Sequence, residues 1–310
     1  MRRTRLAFAL SFTVAPLCGA QHEQSPRDDM LVSTAVLAEH LKDPNLVLLH
    51  VGDESEYRAK HLPGARLVKL EDIDASDHSG AGLMLEMPAP DKLRDRLAAL
   101  GISDNSRIVI YYGDDWVSPS TRLYLTLDHS GLASHTRLLD GSMQEWIREG
   151  RPVTDVVPAA KAGTLSALHI KQDIVDAEYV KAHVKQPGNA VVDARSSSFY
   201  DGLQAGGGHN GQHRLGHIAG AKSVPFESPY DNSNRLLSNA QITALFTRAG
   251  IAPTDTIIGY CHVGQQATAM LFAARAIGHP VLLYDGSFED WSRHPAAQYP
   301  VDNPSAKGKR

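Results

Sequence analysis

A cysteine at position 261 stands where a predicted strand gives way to a predicted helix. Residues 256–260 form a short apolar run, typical of a buried strand, and residues 267–277 repeat apolar side chains at helical spacing before Gly278. Main-chain amides at the start of a helix have no partner within the helix and attract negative charge. A thiolate at Cys261 would be stabilised there, and a thiolate is the nucleophilic form of cysteine.

The first twenty residues have the pattern of a secretory signal peptide. Three arginines open the chain, residues 6–14 are mostly apolar, and residues 18–20 offer a small-residue cleavage site. We therefore expect a periplasmic or secreted protein, with lipidation at Cys18 as an alternative that residues 15–17 disfavour. Removal of this segment would leave Cys261 as the sole cysteine. An unpaired thiol that is kept in an oxidising compartment indicates a functional cysteine. A buried, inert cysteine is the alternative.

The charge of the chain argues against a nucleic acid partner. The formal net charge is −4, and it would become −7 once the three arginines of residues 1–20 are removed. No long basic run offsets this charge, since the basic residues at 307–310 are few. No segment of the mature chain is long and apolar enough to predict a membrane span, and we expect no stable membrane association.

Strands and helices alternate along the first half of the chain. Apolar runs predict strands at residues 46–51, 107–112 and 136–139, and helical patterns occupy residues 32–41, 91–100 and 121–129, with Ser33 as a cap of the first. This alternation predicts an α/β fold with a parallel sheet flanked by helices on both faces.

The same pattern then recurs in the second half. Residues 61–65 (HLPGA) return as residues 217–221 (HIAGA), and residues 139–146 (LDGSMQEW) return as residues 284–291 (YDGSFEDW). A repeat of this length indicates a duplicated domain. We predict an N-terminal domain at 30–153, a linker at 154–168 and a C-terminal domain at 169–303.

The two halves differ where chemistry would take place. The counterpart of the strand before Cys261 leads to Tyr112, Asp114 and Asp115, with no thiol. The first half therefore cannot carry out thiol chemistry, and it either helps to shape the pocket, with Trp116 lining a cleft between the domains, or serves only folding. The second half also has thirteen extra residues between 195 and 217, which a glycine-rich stretch at 202–211 predicts to be a flexible surface loop.

Two stretches resemble signatures of the rhodanese family. Residues 57–65 (YRAKHLPGA) are similar to the N-terminal signature, and residues 281–291 (VLLYDGSFEDW) are similar to the C-terminal one, with Asp290 where the family usually has Glu. The resemblance covers both halves and implies two tandem rhodanese-like domains. It also implies a sulfurtransferase of the thiosulfate or 3-mercaptopyruvate type that works without a cofactor.

The resemblance assigns roles to two residues. Cys261 would attack the outer sulfur of a small anionic donor, become a persulfide and pass the sulfur to cyanide or a thiol acceptor. Arg195 would bind the anionic end of the donor, and the alternative is a surface salt bridge with Asp193. The mercaptopyruvate branch has a further arginine a few residues later, which this chain lacks, and Arg214 is the candidate to replace it.

The loop after the cysteine would bind the donor. Its residues are His262, Val263, Gly264, Gln265 and Gln266. Gly264 would let the loop curl tightly. A partly charged His262 favours thiosulfate as the donor, although a histidine and a valine match neither branch of the family, and 3-mercaptopyruvate stays open.

Other interpretations fit the sequence less well. A metal site at His209, His213 and His217 is disfavoured, because His217 belongs to the repeat that also contains His61, and no metal is expected. A phosphatase of similar fold would need an arginine where Ala267 stands. A non-catalytic sulfide-binding or docking module is the remaining alternative. The repeated Trp146 and Trp291 are predicted to lie in the core.

Overall fold

The computed structural model describes residues 25–77, 79, 82–113, 117–159, 161–208 and 211–307. The predicted signal peptide with Cys18 lies outside these ranges, as do Trp116 and His209. The interpretations of those residues stay predictions.

The first domain is built on one parallel five-stranded sheet, in the order β1-β5-β4-β2-β3. Its strands are Leu31–Val32 (β1), Leu46–Val51 (β2), Arg66–Val68 (β3), Arg107–Tyr112 (β4) and Thr136–Leu139 (β5). Its helices are Pro26–Met30 (α1), Thr34–His40 (α2), Glu54–Ala59 (α3), Pro90–Ala99 (α4), Val117–His129 (α5) and Ser142–Arg148 (α6). Short 3-10 turns occur at Leu70–Asp72 and Ala133–His135.

The second domain repeats this sheet, in the equivalent parallel order β6-β13-β12-β7-β11. Its strands are Ile174–Val175 (β6), Asn189–Asp193 (β7), Gly207–Gly208 (β8), Gly211–Gln212 (β9), His217–Ile218 (β10), Lys222–Ser223 (β11), Thr256–Tyr260 (β12), Val281–Tyr284 (β13) and Val301–Asp302 (β14). Its helices are Ala177–His183 (α7), Ser197–Tyr200 (α8), Asn239–Arg248 (α9), Gln266–Ala276 (α10), Ser287–Arg293 (α11) and Pro304–Lys307 (α12). Two antiparallel pairs, β8 with β9 and β10 with β14, lie outside the main sheet.

The predicted strands agree with the observed ones, and the helices differ mainly at their starts. Ser33 caps α2 as expected, since its side chain accepts a hydrogen bond from the Val36 amide. Helix α5 begins at Val117, four residues before the predicted start. Pro119 lies in its first turn, where a missing N–H costs nothing because the first amides of a helix are unpaired in any case.

Equivalent contacts hold the two domains in the same shape. The Leu62 amide donates to the Tyr111 hydroxyl over 3.0 Å, and the Ile218 amide donates to the Tyr260 hydroxyl over 3.1 Å. Trp146 and Trp291 have 0% and 1% of their surface exposed, which confirms their place in the core. The duplication seen in the sequence is therefore also present in the structure.

Helices α5 and α10 pack against each other between the domains. The rings of Tyr124 and Phe272 meet edge to face at 4.9 Å, and the Thr121 and Thr268 hydroxyls are 2.9 Å apart. Since α10 follows directly on the Cys261 loop, this packing fixes the loop relative to the first domain. No helix among the described residues is both long and apolar enough to cross a membrane.

Candidate active site

Cys261 lies between the end of β12 and the start of α10, as the sequence predicted. Its amide donates to the Ser287 hydroxyl over 3.1 Å, and its carbonyl accepts from the Phe288 amide, also over 3.1 Å. The first domain repeats the first of these bonds without a cysteine, from the Tyr112 amide to Ser142. The repeated Asp-Gly-Ser motif therefore fixes the loop backbone, a role that the repeat could have signalled but that the sequence analysis did not assign.

The Cys261 side chain has no exposed surface. It joins the apolar cluster that includes Ala194 and Ala267. This burial agrees with the alternative of a buried cysteine, and a donor would reach the sulfur only if the groups that cover it moved aside. Among the described residues it is the only cysteine, and it forms no disulfide.

Gly264 has the backbone conformation that the sequence analysis required of it, with φ at +82°. A Cβ atom there would lie 2.7 Å from the Asp285 carbonyl oxygen and 3.0 Å from Arg122 Nη1. Arg122 donates to the Gly264 carbonyl over 3.2 Å and to Asp285 Oδ1 over 2.5 Å. A side chain at position 264 would therefore break up both the turn and the ion pair that holds it.

The first domain helps to build the loop of the second. Arg122 comes from α5 and also donates to the Leu85 carbonyl, and the Met87 amide donates to Asp285 Oδ2 over 2.8 Å. Gln265 donates to the Ser118 hydroxyl over 3.2 Å. These contacts support the interpretation that the first domain shapes the pocket. They also assign Gln265, predicted to bind the donor, to the domain interface.

Val263 and Gln266, the other loop residues predicted to bind the donor, are both half-buried. The Gln266 side-chain oxygen is buried without a hydrogen-bond partner among the described residues. Their role in donor binding stays a prediction.

Arg195 forms a buried ion pair with Asp193. Its Nε lies 3.0 and 3.1 Å from the two carboxylate oxygens, and its Nη2 lies 2.6 Å from Asp193 Oδ2 and 2.7 Å from the Gly216 carbonyl. The guanidinium carbon lies 4.0 Å from the centre of the Phe288 ring. The salt bridge foreseen as the alternative does form, although in the interior rather than on the surface.

Cys261 is one of the groups that influence the charge of Arg195. Burial opposes the charge of Arg195, but Asp193, Tyr260 and Cys261 keep the pKa of Arg195 above its usual value. Its Nε and Nη2 are already engaged by Asp193 and the Gly216 carbonyl. Donor binding by Arg195 stays a prediction.

Arg214 does not serve as a second donor-binding arginine. Its Nη1 donates to the Tyr299 carbonyl over 2.7 Å, and its Nη2 donates to the Trp291 carbonyl. The guanidinium thus ties the inserted segment to the end of the second domain. That candidate role was wrong, because main-chain carbonyls far along the sequence already bind this side chain.

His262 is half-buried beside the cysteine, with the Phe199 ring edge-on at 4.5 Å. Burial, Arg195 and His213 together lower the pKa of His262 to about 3. The imidazole is therefore neutral at pH 7. The partly charged histidine expected from the sequence was wrong, because burial outweighs the attraction of an anion for a free imidazole.

Two residues of the inserted segment, Gly206 and His213, lie against His262. Strands β8 and β9 form a hairpin, and the His213 amide donates to the Gly206 carbonyl over 2.8 Å. A Cβ atom on Gly206 would lie 2.5 Å from His262 Nδ1 and 3.1 Å from His213 Nδ1. Most of the described residues in the stretch at 202–211 are exposed, Leu203 at 70%, so this stretch lies on the surface as predicted and its flexibility stays a prediction, whereas His213 beyond it is only 6% exposed.

His217, one of the three histidines that could suggest a metal site, makes a hydrogen bond that repeats one in the first domain. His217 Nδ1 lies 2.8 Å from the Tyr200 carbonyl, as His61 Nδ1 lies 2.6 Å from the Tyr57 carbonyl. The repeat therefore explains His217 as a structural residue. The described residues contain no group of three or more metal-ligating side chains.

Glu86 is a titratable carboxyl of the first domain that lies near Asp285 of the second. Burial and the neighbouring Asp285 raise the pKa of Glu86 to about 8, from the usual 4.5, although Arg122 opposes this. The folded protein binds the Glu86 proton more tightly than the unfolded chain does. The stability gained from this proton is fully present below pH 4.5 and is lost as the pH rises toward 8.

We expect Glu86→Gln to remove the decrease in stability between pH 4.5 and pH 8. Urea unfolding should show the variant more stable than the wild type by about 4 kcal/mol at pH 8, with almost no gain at pH 4.5. Glu71→Gln, at a side chain that is 74% exposed, is the control and should leave the pH dependence unchanged. An equal pH dependence in Glu86→Gln and the wild type would show that Glu86 ionises normally.

Comparison with known proteins agrees with this architecture. The Rhodanese-like domain family matches residues 33–149 and 176–294. The sulfur carrier protein TtuD of Thermus thermophilus is 28% identical over 296 residues, covering 91% of this chain and 98% of that protein. A thiosulfate sulfurtransferase and a probable 3-mercaptopyruvate sulfurtransferase, both of Pseudomonas aeruginosa, are 26% and 28% identical, and each alignment covers 86% of this chain and 95% of the relative.

Solved structures share the fold. The crystal structure of YnjE matches with a TM-score of 0.78 at 22% identity, covering 91% of this chain and 70% of that one. Wild-type EanB matches with a TM-score of 0.77 at 19% identity, covering 91% and 70%. At these identities the likeness shows the fold alone.

Two α/β domains, each with a parallel sheet, and a cysteine on one strand-to-helix loop define a tandem-domain protein whose described residues contain a single thiol. The chain belongs to the rhodanese family. Its relatives place it among the sulfurtransferases, which act on a sulfur donor and an acceptor.

Proposed function

We propose that this protein transfers sulfane sulfur through a persulfide on Cys261, and that it takes the sulfur from 3-mercaptopyruvate in preference to thiosulfate. The observation that carries the proposal is the Cys261 loop, which Ser287, Gly264 and Arg122 hold in place at the start of α10. A loop fixed in this way at the start of a helix would let main-chain amides stabilise an anionic sulfur without a general base.

The proposed reaction has two steps. The Cys261 thiolate attacks the sulfur of mercaptopyruvate, a sulfur–sulfur bond forms and the carbon–sulfur bond breaks. The leaving enolate takes the proton of the former thiol and departs as pyruvate, and the enzyme keeps the sulfur as a persulfide anion. Cyanide or a thiolate acceptor then attacks the outer sulfur, which releases thiocyanate or an acceptor persulfide and restores the Cys261 thiolate.

The preference between donors rests on charge. Thiosulfate carries two negative charges and mercaptopyruvate carries one, and the cost of burying an ion rises steeply with its charge. The two buried arginines near the loop are each paired, Arg195 with Asp193 and Arg122 with Asp285, and His262 is neutral. A site with so little uncompensated positive charge favours the less charged donor.

Steady-state kinetics with cyanide as the acceptor test the proposal. We expect kcat/KM for mercaptopyruvate to exceed that for thiosulfate by about tenfold, equivalent to about 1.4 kcal/mol. A preference for thiosulfate would overturn the donor assignment. No turnover with either donor would instead favour a non-catalytic docking module.

A charge variant sharpens the same test. His262→Arg places a cation directly after the cysteine and should raise kcat/KM for thiosulfate more than for mercaptopyruvate, by about tenfold. His40→Arg adds the same charge at an exposed position of the first domain and should leave the ratio unchanged. An unchanged ratio in His262→Arg would show that charge beside Cys261 does not select the donor.

A further inference from the structure

His213 is buried in the inserted segment without any partner for its ring. Its side chain is 6% exposed, and neither Nδ1 nor Nε2 has a hydrogen-bond partner among the described residues. A buried polar group without a partner costs about 1–3 kcal/mol, and such groups in folded proteins call for an explanation. A bound ligand that supplies the missing partner would be one.

Three groups connect His213 to the cysteine. Its ring centre lies 6.0 Å from that of His262, the residue after Cys261. It lies 6.3 Å from the ring of Phe288, whose amide binds the Cys261 carbonyl. Gly206 packs against both imidazoles, and any side chain at position 206 would fill the space between them. His213 therefore borders the same site from the inserted segment.

The charge state of His213 narrows the chemistry of the ligand. Burial lowers the pKa of His213, with Arg195 and Arg293 acting in the same direction and Glu289 opposing them. At neutral pH the ring has one N–H donor and one acceptor nitrogen. It suits an oxygen atom of a singly charged or neutral group and offers no full positive charge to a dianion.

We propose that His213 is a specificity-determining residue, whose ring N–H donates a hydrogen bond to an oxygen of the keto-acid end of the sulfur donor. This inference rests on the proposed function and assigns to the inserted segment part of the role that the sequence suggested for Arg195. The donor sulfur would then meet Cys261 while its oxygen end lies under the hairpin.

The test replaces the imidazole by an apolar side chain of similar size. In His213→Leu we expect KM for mercaptopyruvate to rise about tenfold with little change in kcat, as for the loss of one hydrogen bond to a charged group. Transfer from preloaded persulfide enzyme to cyanide should be unchanged. The melting temperature should stay the same or rise, because the variant removes an unpaired buried polar group.

His50→Leu is the matched control. His50 is fully buried in the first domain, and both of its ring nitrogens also lack partners among the described residues. This variant should have the same effect on stability and no effect on KM. His213→Asn keeps an N–H donor and should hold KM within about threefold of the wild type.

Two results would overturn the inference. One is an unchanged KM in His213→Leu. The other is a loss of stability in both His213 variants together with a lower kcat and a higher KM, which is the pattern of a structural residue. Failure of the wild type to gain sulfur from mercaptopyruvate would be a separate outcome, because it refutes the proposed function before His213 is tested.

Discussion

Cys261→Ser should abolish sulfur transfer while the protein stays folded. A serine hydroxyl is a far weaker nucleophile than a thiolate and cannot hold a persulfide, so kcat should fall by about 10³-fold or more with every donor. Thiocyanate release from mercaptopyruvate and cyanide is the measurement. Cys261→Ala, which leaves no hydroxyl in the apolar cluster around residue 261, should lose activity equally.

Circular dichroism and thermal unfolding provide the control for both variants. We expect the two to retain the wild-type spectrum, since the backbone bonds of residue 261 to Ser287 and Phe288 do not involve its side chain. Residual turnover near the wild-type rate in either folded variant would contradict a nucleophilic role for Cys261.

Arg195→Ala should produce the largest loss of stability of any single change considered. Removing one partner of a buried ion pair leaves the other charge uncompensated, at a cost of about 3–5 kcal/mol. Among the residues that the structure describes, Asp193 would keep only the hydroxyl of Tyr260, 2.7 Å away, and the main-chain amide of residue 195 at 2.9 Å. Urea unfolding at pH 7 measures the change.

The matched control is the exposed pair of Arg58 and Glu54 in the first domain. These side chains are 64% and 42% exposed, and Arg58→Ala should cost no more than about 0.5 kcal/mol. The double variant Arg195→Met with Asp193→Leu should recover much of the loss, because it removes both charges together. A cost below about 1 kcal/mol for Arg195→Ala would show that the pair is not a buried structural element.

The sheets could be predicted because their signals are local. Apolar runs at residues 46–51, 107–112 and 256–260 have the length and composition of buried parallel strands, and the structure has strands there. The loop of Cys261 followed from the same signal, since a strand, a short turn and a helix lie consecutively in the chain. The repeat then supplied the second domain.

The environment of the site could not be predicted, because distant residues create it. Arg122 binds Gly264 from 142 positions away, and nothing near either residue indicates this contact. The neutral state of His262 depends on burial under the inserted segment. The glycines at 202–211 predict a flexible loop, yet one of them, Gly206, packs closely against an imidazole. Composition does not distinguish these two uses of glycine.

Intact mass spectrometry after incubation with mercaptopyruvate tests the central claim most directly. The account predicts that the wild type gains the mass of one sulfur atom, that peptide mapping places it on Cys261, and that cyanide removes it. Cys261→Ser should gain nothing. A wild-type mass that never changes, or an added sulfur that persists in Cys261→Ser, would contradict the account.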